Sequence, residues 1–472
     1  MLEMSLRIEK VQMVFRKLNV QFVRNPQDKT VRPVWMPKSA ADRAAASCAI
    51  VAILMIAIFG SIVAVKAPLW DEVDEIAHVS YVQNIATTGH LPVLYQSHLS
   101  EQIIAIARHV YPHKVTFPAT TKVKGGYDYE AFQPPLAYMV DVPVFELANT
   151  FIIKVKLLRF FGLLLLIVSV FLSIRLSRLL LKTNWWFGFA ALATAAAIPG
   201  IVVRVATVSN LPLTMLLVVA CVTEFVVVLV RAKSHRLVSA GVLLGLAILT
   251  NLFSLDLIPL AILSAGVAIW RSHSKKEKLR NASLPILISA SVAGAIVAPW
   301  ILFNESHYHH LTGSAVAQAL QLGPNGAQPH FTLHYTLDFL FSWILAPVVP
   351  QEWWGVAGHP VNYYANNIVD VLIIPVAIYF AIPTKRSSCT RLILVGVYLS
   401  NVLLCIAMTY FDQWPCMISR YTDPTLIFLA LAGIAGALEN MRSRALVVVG
   451  LVGLLAFVGL TWIPLASQIQ LL

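Results

Sequence analysis

The chain is poor in charge. Only 12% of its 472 residues are Asp, Glu, Lys or Arg, against 58% that are hydrophobic. A soluble domain of this size cannot hide that much apolar surface, which excludes the ordinary water-soluble classes. Strand-like alternation is weak as well, and this argues against a membrane β-barrel. Cysteine is sparse: Cys48, Cys221, Cys389, Cys405 and Cys416 show no CxxC spacing, so neither a disulfide framework nor a zinc site is indicated. There is no HExxH motif, no low-complexity segment and no short-period repeat.

What is present is a succession of apolar runs of roughly 17–25 residues, the length that crosses hydrocarbon. They read as eleven spans, near 46–66, 157–181, 186–203, 211–230, 237–253, 255–270, 283–303, 366–383, 391–410, 425–438 and 445–463. The expected fold is an all-α polytopic membrane protein. Residues 1–45 form a basic tail with no cleavable signal, expected to be cytoplasmic, and 46–472 form the transmembrane domain.

The net charge of +12 invites a nucleic-acid reading, but the position of the charges argues against it. With the N-terminus inside, the tail and the inner loops hold 25 of the 35 Lys and Arg residues, as the positive-inside rule requires. The basic balance is a topology signal, and no nucleic-acid partner is needed to explain it. Two long loops, 67–156 and 304–365, then fall outside the cell, and loops of this length on a compact bundle usually carry function.

The first of these loops opens on PLWDEVDEIAHVSYV, with Asp71, Glu72, Asp74 and Glu75 inside five positions. Clustered like charges raise each other's proton affinity, so the cluster costs stability unless a cation, a metal or catalysis uses it. In a helix, Asp71, Asp74, Glu75 and His78 would share a face by three- and four-residue spacing. A carboxylate there can deprotonate a hydroxyl, and the set together with His78 offers a divalent metal a site. An acidic cap on the first span is the plainer alternative.

Further along the loop, QPPLAYM (133–139) stiffens the backbone before a Tyr-bearing apolar turn, and the stretch near 134–150 reads as an interfacial helix. In ISRYTDP (418–424), Arg420 can clamp a phosphate or snorkel, and Tyr421 suits an interface. His307, His309 and His310 read as surface histidines. Trp353 and Trp354 suit a sugar face and an interfacial belt equally.

The order of these features resembles the GT-C superfamily of membrane glycosyltransferases, in particular the bacterial relatives of protein mannosyltransferases and lipid A aminoarabinose transferases. The acidic motif follows the first span and QPPLAY closes the first outer loop. Arg159 in LLRFFG opens the second span. Pro199 and the Ser209-Asn210 pair flank the turn after the third, GLAILT runs into Asn251, and RYTDP precedes a late span. Asn251 stands where relatives often have Lys.

The resemblance implies transfer of a sugar, with inversion, from a polyprenyl-phosphate donor to a glycan, lipid or protein acceptor on the outer face of the plasma membrane, in contact with membrane lipid. It implies Asp74 of DEIAH as the base, with Asp71 as runner-up and Glu75 beside them. His78, Gln133, Tyr138, Arg159, Arg420 and Tyr421 are the substrate-binding candidates. The resemblance names no definite cofactor, and a divalent metal is the one that the acidic cluster could hold. A multi-pass transporter or flippase is the competing expectation. It would draw on intramembrane acids such as Glu224, Asp256 and Asp370.

Overall fold

The computed structural model describes residues 37, 39–70, 74–110, 128–272, 276–313, 379–380, 389–411, 421–441 and 443–471. These residues are overwhelmingly helical, and none of them forms a β-strand. The first helix, α1 (Ala40–Lys66), starts on a capping box. Ser39 Oγ accepts from the Asp42 N–H at 3.0 Å and Asp42 accepts from the Ser39 N–H at 3.1 Å. It stops at Ala67, just before Pro68, which has no N–H to continue the ladder.

Three short helices follow: α2 (Glu75–Thr88), α3 (Glu101–Val110) and α4 (Leu136–Phe145). Gly89, in the left-handed conformation at φ +71°, ends α2. The stretch expected to lie at the membrane interface is α4, entered through Pro134-Pro135 and only ten residues long.

The long helix α5 (Phe151–Leu181) then leads to α6 (Trp185–Ala196) and α7 (Pro199–Val205). The expected span 186–203 is not straight. Pro199 breaks the hydrogen-bond ladder, and the chain bends by 66° between α6 and α7. Next come α8 (Leu211–Arg231) and α9 (Arg236–Thr250), a 3-10 turn at Leu252–Leu257, α10 (Ile258–Ser272) and α11 (Lys276–Tyr308). The last three helices are α12 (Cys389–Phe411), α13 (Asp423–Asn440) and α14 (Arg444–Leu471).

Among the described residues, six helices are long and apolar enough to cross a bilayer, and seven if the bent α6–α7 pair is one span. The chain is therefore a multi-pass, all-helical membrane protein. The eleven-span expectation is met only that far. At 15 residues α9 extends about 22 Å, short of a roughly 30 Å hydrocarbon core. Residues 366–383 lie outside the described residues apart from 379–380. Most of loop 304–365 and the whole of 1–36 also lie outside them.

Helix α8 is the hub, packing against α5, α9, α10 and α13. Lipid gives apolar helices no hydrophobic reason to associate, so close backbone approach matters. Gly162 of α5 supplies it, because a Cβ there would lie 2.5 Å from the carbonyl oxygen of Val205. A second apolar core sits at one end of the bundle, where Val79, Tyr81, Val82, Ile103, Tyr138 and Phe145 of the short helices pack on Phe151, Val155 and Leu158 of α5. This cap positions the site.

Candidate functional site

The acidic segment divides in two. Glu75 and Arg159 are both fully buried and form a two-pronged ion pair, Nε to Oε1 at 2.7 Å and Nη2 to Oε2 at 2.6 Å. Arg159 also donates to the carbonyls of Ala67 at 2.8 Å and Pro68 at 3.0 Å, where the last turn of α1 has run out of N–H partners. Glu75 accepts the N–H groups of Val208 at 3.1 Å and Trp70 at 3.0 Å. One knot thus ties α1, the 67–70 segment, α2, α5 and the turn after α7.

Asp74 faces elsewhere. It caps α2 in the left-handed conformation, φ +68°, a backbone that costs a non-glycine residue on the order of 1–3 kcal/mol. The expected shared helical face therefore does not form: the helix begins only at Glu75, which turns into the knot, while Asp74 and His78 line a cavity. Asp71 and Glu72 lie outside the described residues.

The cavity holds about 880 Å³, its open mouth included. Its polar lining falls into two sets. Asp74, His78, Glu130 and Gln133 come from the cap, whereas Arg204, Ser209, Asn210 and Asn251 come from the helix breaks of the bundle. Leu252, Phe253, Trp300, Met408 and Tyr421 add an apolar and aromatic surface, with Phe253 and Tyr421 stacked at 4.2 Å.

On the cap side, His78 Nδ1 lies 2.9 Å from the Tyr138 hydroxyl, and Tyr81 stacks on Tyr138 at 3.9 Å. The Tyr81 hydroxyl donates to the carbonyl of Gln133 at 3.3 Å. Tyr129 is hydrogen-bonded to Asp74; burial, then the Asp74 and Glu130 charges, hold its hydroxyl well above the usual tyrosine range. Burial and Glu130 do the same to Tyr138. Behind this wall Asp128 is completely buried, and desolvation pushes its carboxyl up to about 7.

On the bundle side, Arg204 of α7 is buried against Asp423 at the start of α13, Nε to Oδ2 at 2.7 Å. Asn251 ends α9, caps the 3-10 turn through its side chain at 3.0 Å, and reaches Asn210 at 3.4 Å. Each of these residues sits where a helix is interrupted, so backbone breaks as well as side chains shape the lining.

Of the residues expected from sequence, Asp74, His78, Gln133 and Tyr421 line the cavity, with Tyr138 directly behind His78. Glu75 and Arg159 do not line it; their charges are spent on each other and on backbone. Asp71, Arg420, Trp353 and Trp354 lie outside the described residues. His307 is exposed, Nδ1 2.8 Å from the Phe303 carbonyl.

Among the described residues, no three His, Cys, Asp or Glu side chains converge as a metal-ligand set. The sequence reading missed Asp128, Glu130, Arg204 and Asp423. Two signals bore on the first three: the acid-Tyr-Glu triplet two residues before QPP, and a lone Arg inside the apolar run IVVRVA. No protein-family model matches the chain, and no curated protein is similar enough to match it.

Proposed function

We propose that the protein is a membrane glycosyltransferase of GT-C type, acting on a polyprenyl-phosphate-linked sugar at the outer face of the plasma membrane with its N-terminus in the cytoplasm. The observation that carries this reading is one cavity lined by the Asp74 and Glu130 carboxylates, the Arg204 guanidinium and an aromatic, apolar surface. A lipid-linked phosphosugar presents the matching groups: hydroxyls, a phosphate and a hydrocarbon chain.

In this reading Asp74 accepts the proton of the acceptor hydroxyl as its oxygen attacks the anomeric carbon. The bond to phosphate breaks, and the departing negative charge is steadied by Arg204, which Asp423 holds in orientation, with Arg420 as a second cation. A single displacement inverts the anomeric centre, and a general base contributes about 10²–10⁴-fold. The transporter alternative draws on intramembrane acids, two of which have partners here. Glu224 is bound by Arg175 at 2.6 Å, and Asp256 accepts from Asn401 at 2.8 Å.

The test is transfer of radiolabelled sugar from polyprenyl-phosphate donors in membranes holding equal amounts of wild type, Asp74→Asn, Arg204→Ala and Arg420→Ala. Transfer by wild type, and loss of it in folded Asp74→Asn, supports the reading. Solute or lipid movement without donor consumption sinks it in favour of transport.

A further inference from the structure

We propose that Asp128 is a proton-binding latch: one proton taken from solvent by its carboxyl holds segment 128–133 against α2 and so positions Glu130 in the cavity wall. This goes beyond the glycosyl-transfer reading and does not depend on it.

The geometry carries the inference. Asp128 is fully buried, with 0% of its surface exposed. Its Oδ2 accepts from the Asn84 amide at 3.1 Å, and the nearby Ser80 hydroxyl and Glu130 N–H also favour the charged carboxyl. Its Oδ1 is buried and has no hydrogen-bond partner among the described residues. Among the described residues no Lys or Arg forms an ion pair with it. A carboxylate anion in that position lacks the cationic partner that Glu75 has, and a neutral carboxylic acid avoids the cost of burying that charge.

Among the described residues, the groups facing Asp128 bring no competing counter-charge. Tyr81 approaches from α2, Tyr138 from α4 and Tyr308 from α11. Tyr129 and Glu130 belong to its own segment. The Asp128 N–H donates to the Ser97 carbonyl at 2.9 Å, and beside Ser97 sits the exposed His98. Burial keeps Tyr81, Tyr129 and Tyr138 neutral, so the surroundings are hydroxyls, an amide and another acid.

The segment that Asp128 anchors is short, and its members Glu130, Phe132 and Gln133 line the cavity. Ala131 and Gln133 return their N–H groups to Asp128 and Glu130, at 3.2 and 2.9 Å. Deprotonation at Asp128 therefore loosens the wall that presents Glu130.

The sign follows from linkage. The closed segment holds its proton to about pH 7, and the opened one releases it near the ordinary carboxyl value. Closure is thus fully supported at low pH and is lost as pH rises toward 7.

Hydrogen exchange on the full chain in detergent, corrected for intrinsic exchange rates, tests this at the amides of 129–133. The wild-type opening constant is expected to rise by up to about tenfold per pH unit from pH 5 and to level off above pH 7. Asp128→Asn, neutral and of the same shape, removes the slope. Asn84→Ala deletes a hydrogen bond that favours the charged form, so it moves the plateau to higher pH. This variant also stands in should Asp128→Asn not fold. A flat wild-type profile overturns the proposal. So does a slope that survives in Asp128→Asn, which would belong to Glu130 or His98, or a plateau that Asn84→Ala leaves in place.

Discussion

Glu75 and Asp128 are both carboxylic acids buried in the same cap, and they are handled in opposite ways. Glu75 is gripped by both prongs of Arg159 and by two backbone N–H groups, so its negative charge is matched in full. Asp128 receives neutral donors among tyrosines, and its carboxyl is shifted up to about 7. The difference teaches that burial alone does not assign a role to an acid. A paired carboxylate is a fixed joint, whereas one solvated only by neutral groups responds to protons.

The largest effect is expected from breaking the joint. Arg159→Met should cost about 3–5 kcal/mol, because Glu75 is then stranded as a buried charge. Denaturation in detergent measures it. The double variant with Glu75→Leu should recover most of the loss, since it removes the stranded charge. A single-variant cost below about 1 kcal/mol would show that the knot does not anchor the cap to the bundle.

Asp74→Asn separates the two neighbours of the acidic segment. Asn tolerates the left-handed backbone that Asp74 adopts, so the fold should hold while any transferase activity falls by at least about 10²-fold. A variant that loses stability as well would move Asp74 from the chemical side of the comparison to the structural one.

Gly162→Ala sharpens the joint from a distance. Its Cβ would press on the Val205 carbonyl and push α5 from the turn that delivers the Val208 N–H to Glu75. Overpacking of this kind costs about 1–3 kcal/mol, readable as a lowered Tm. Tyr138→Phe acts on the other side and removes the partner of His78 Nδ1. It should cost only about 1 kcal/mol in the same measurement.

Much of the frame was legible in the sequence. Apolar runs of spanning length become helices because lipid leaves backbone groups no other partner, so 46–66, 157–181, 211–230 and 391–410 read correctly as helical. The bend at Pro199 was read through as one continuous span, and the 3-10 turn at Leu252–Leu257 falls across the boundary set between the expected spans 237–253 and 255–270. Hydropathy averages over such breaks, and these are the places where cavity residues sit. Asp74, His78 and Gln133 were within reach because they belong to local motifs. The pairing of Arg204 with Asp423 was not, since the two meet across 219 positions of chain.

The sequence by itself determined that this chain is helical, crosses a membrane several times and concentrates acid where the first crossing ends. Only the tertiary structure decided which acid does what. Asp74 and Glu75 are adjacent and chemically alike, and nothing local tells them apart. Arg159, 84 residues away, draws Glu75 into the bundle, and the helix that starts there leaves Asp74 in the cavity. A charge takes its role from the partner that folding brings to it, and that partner lies far along the chain.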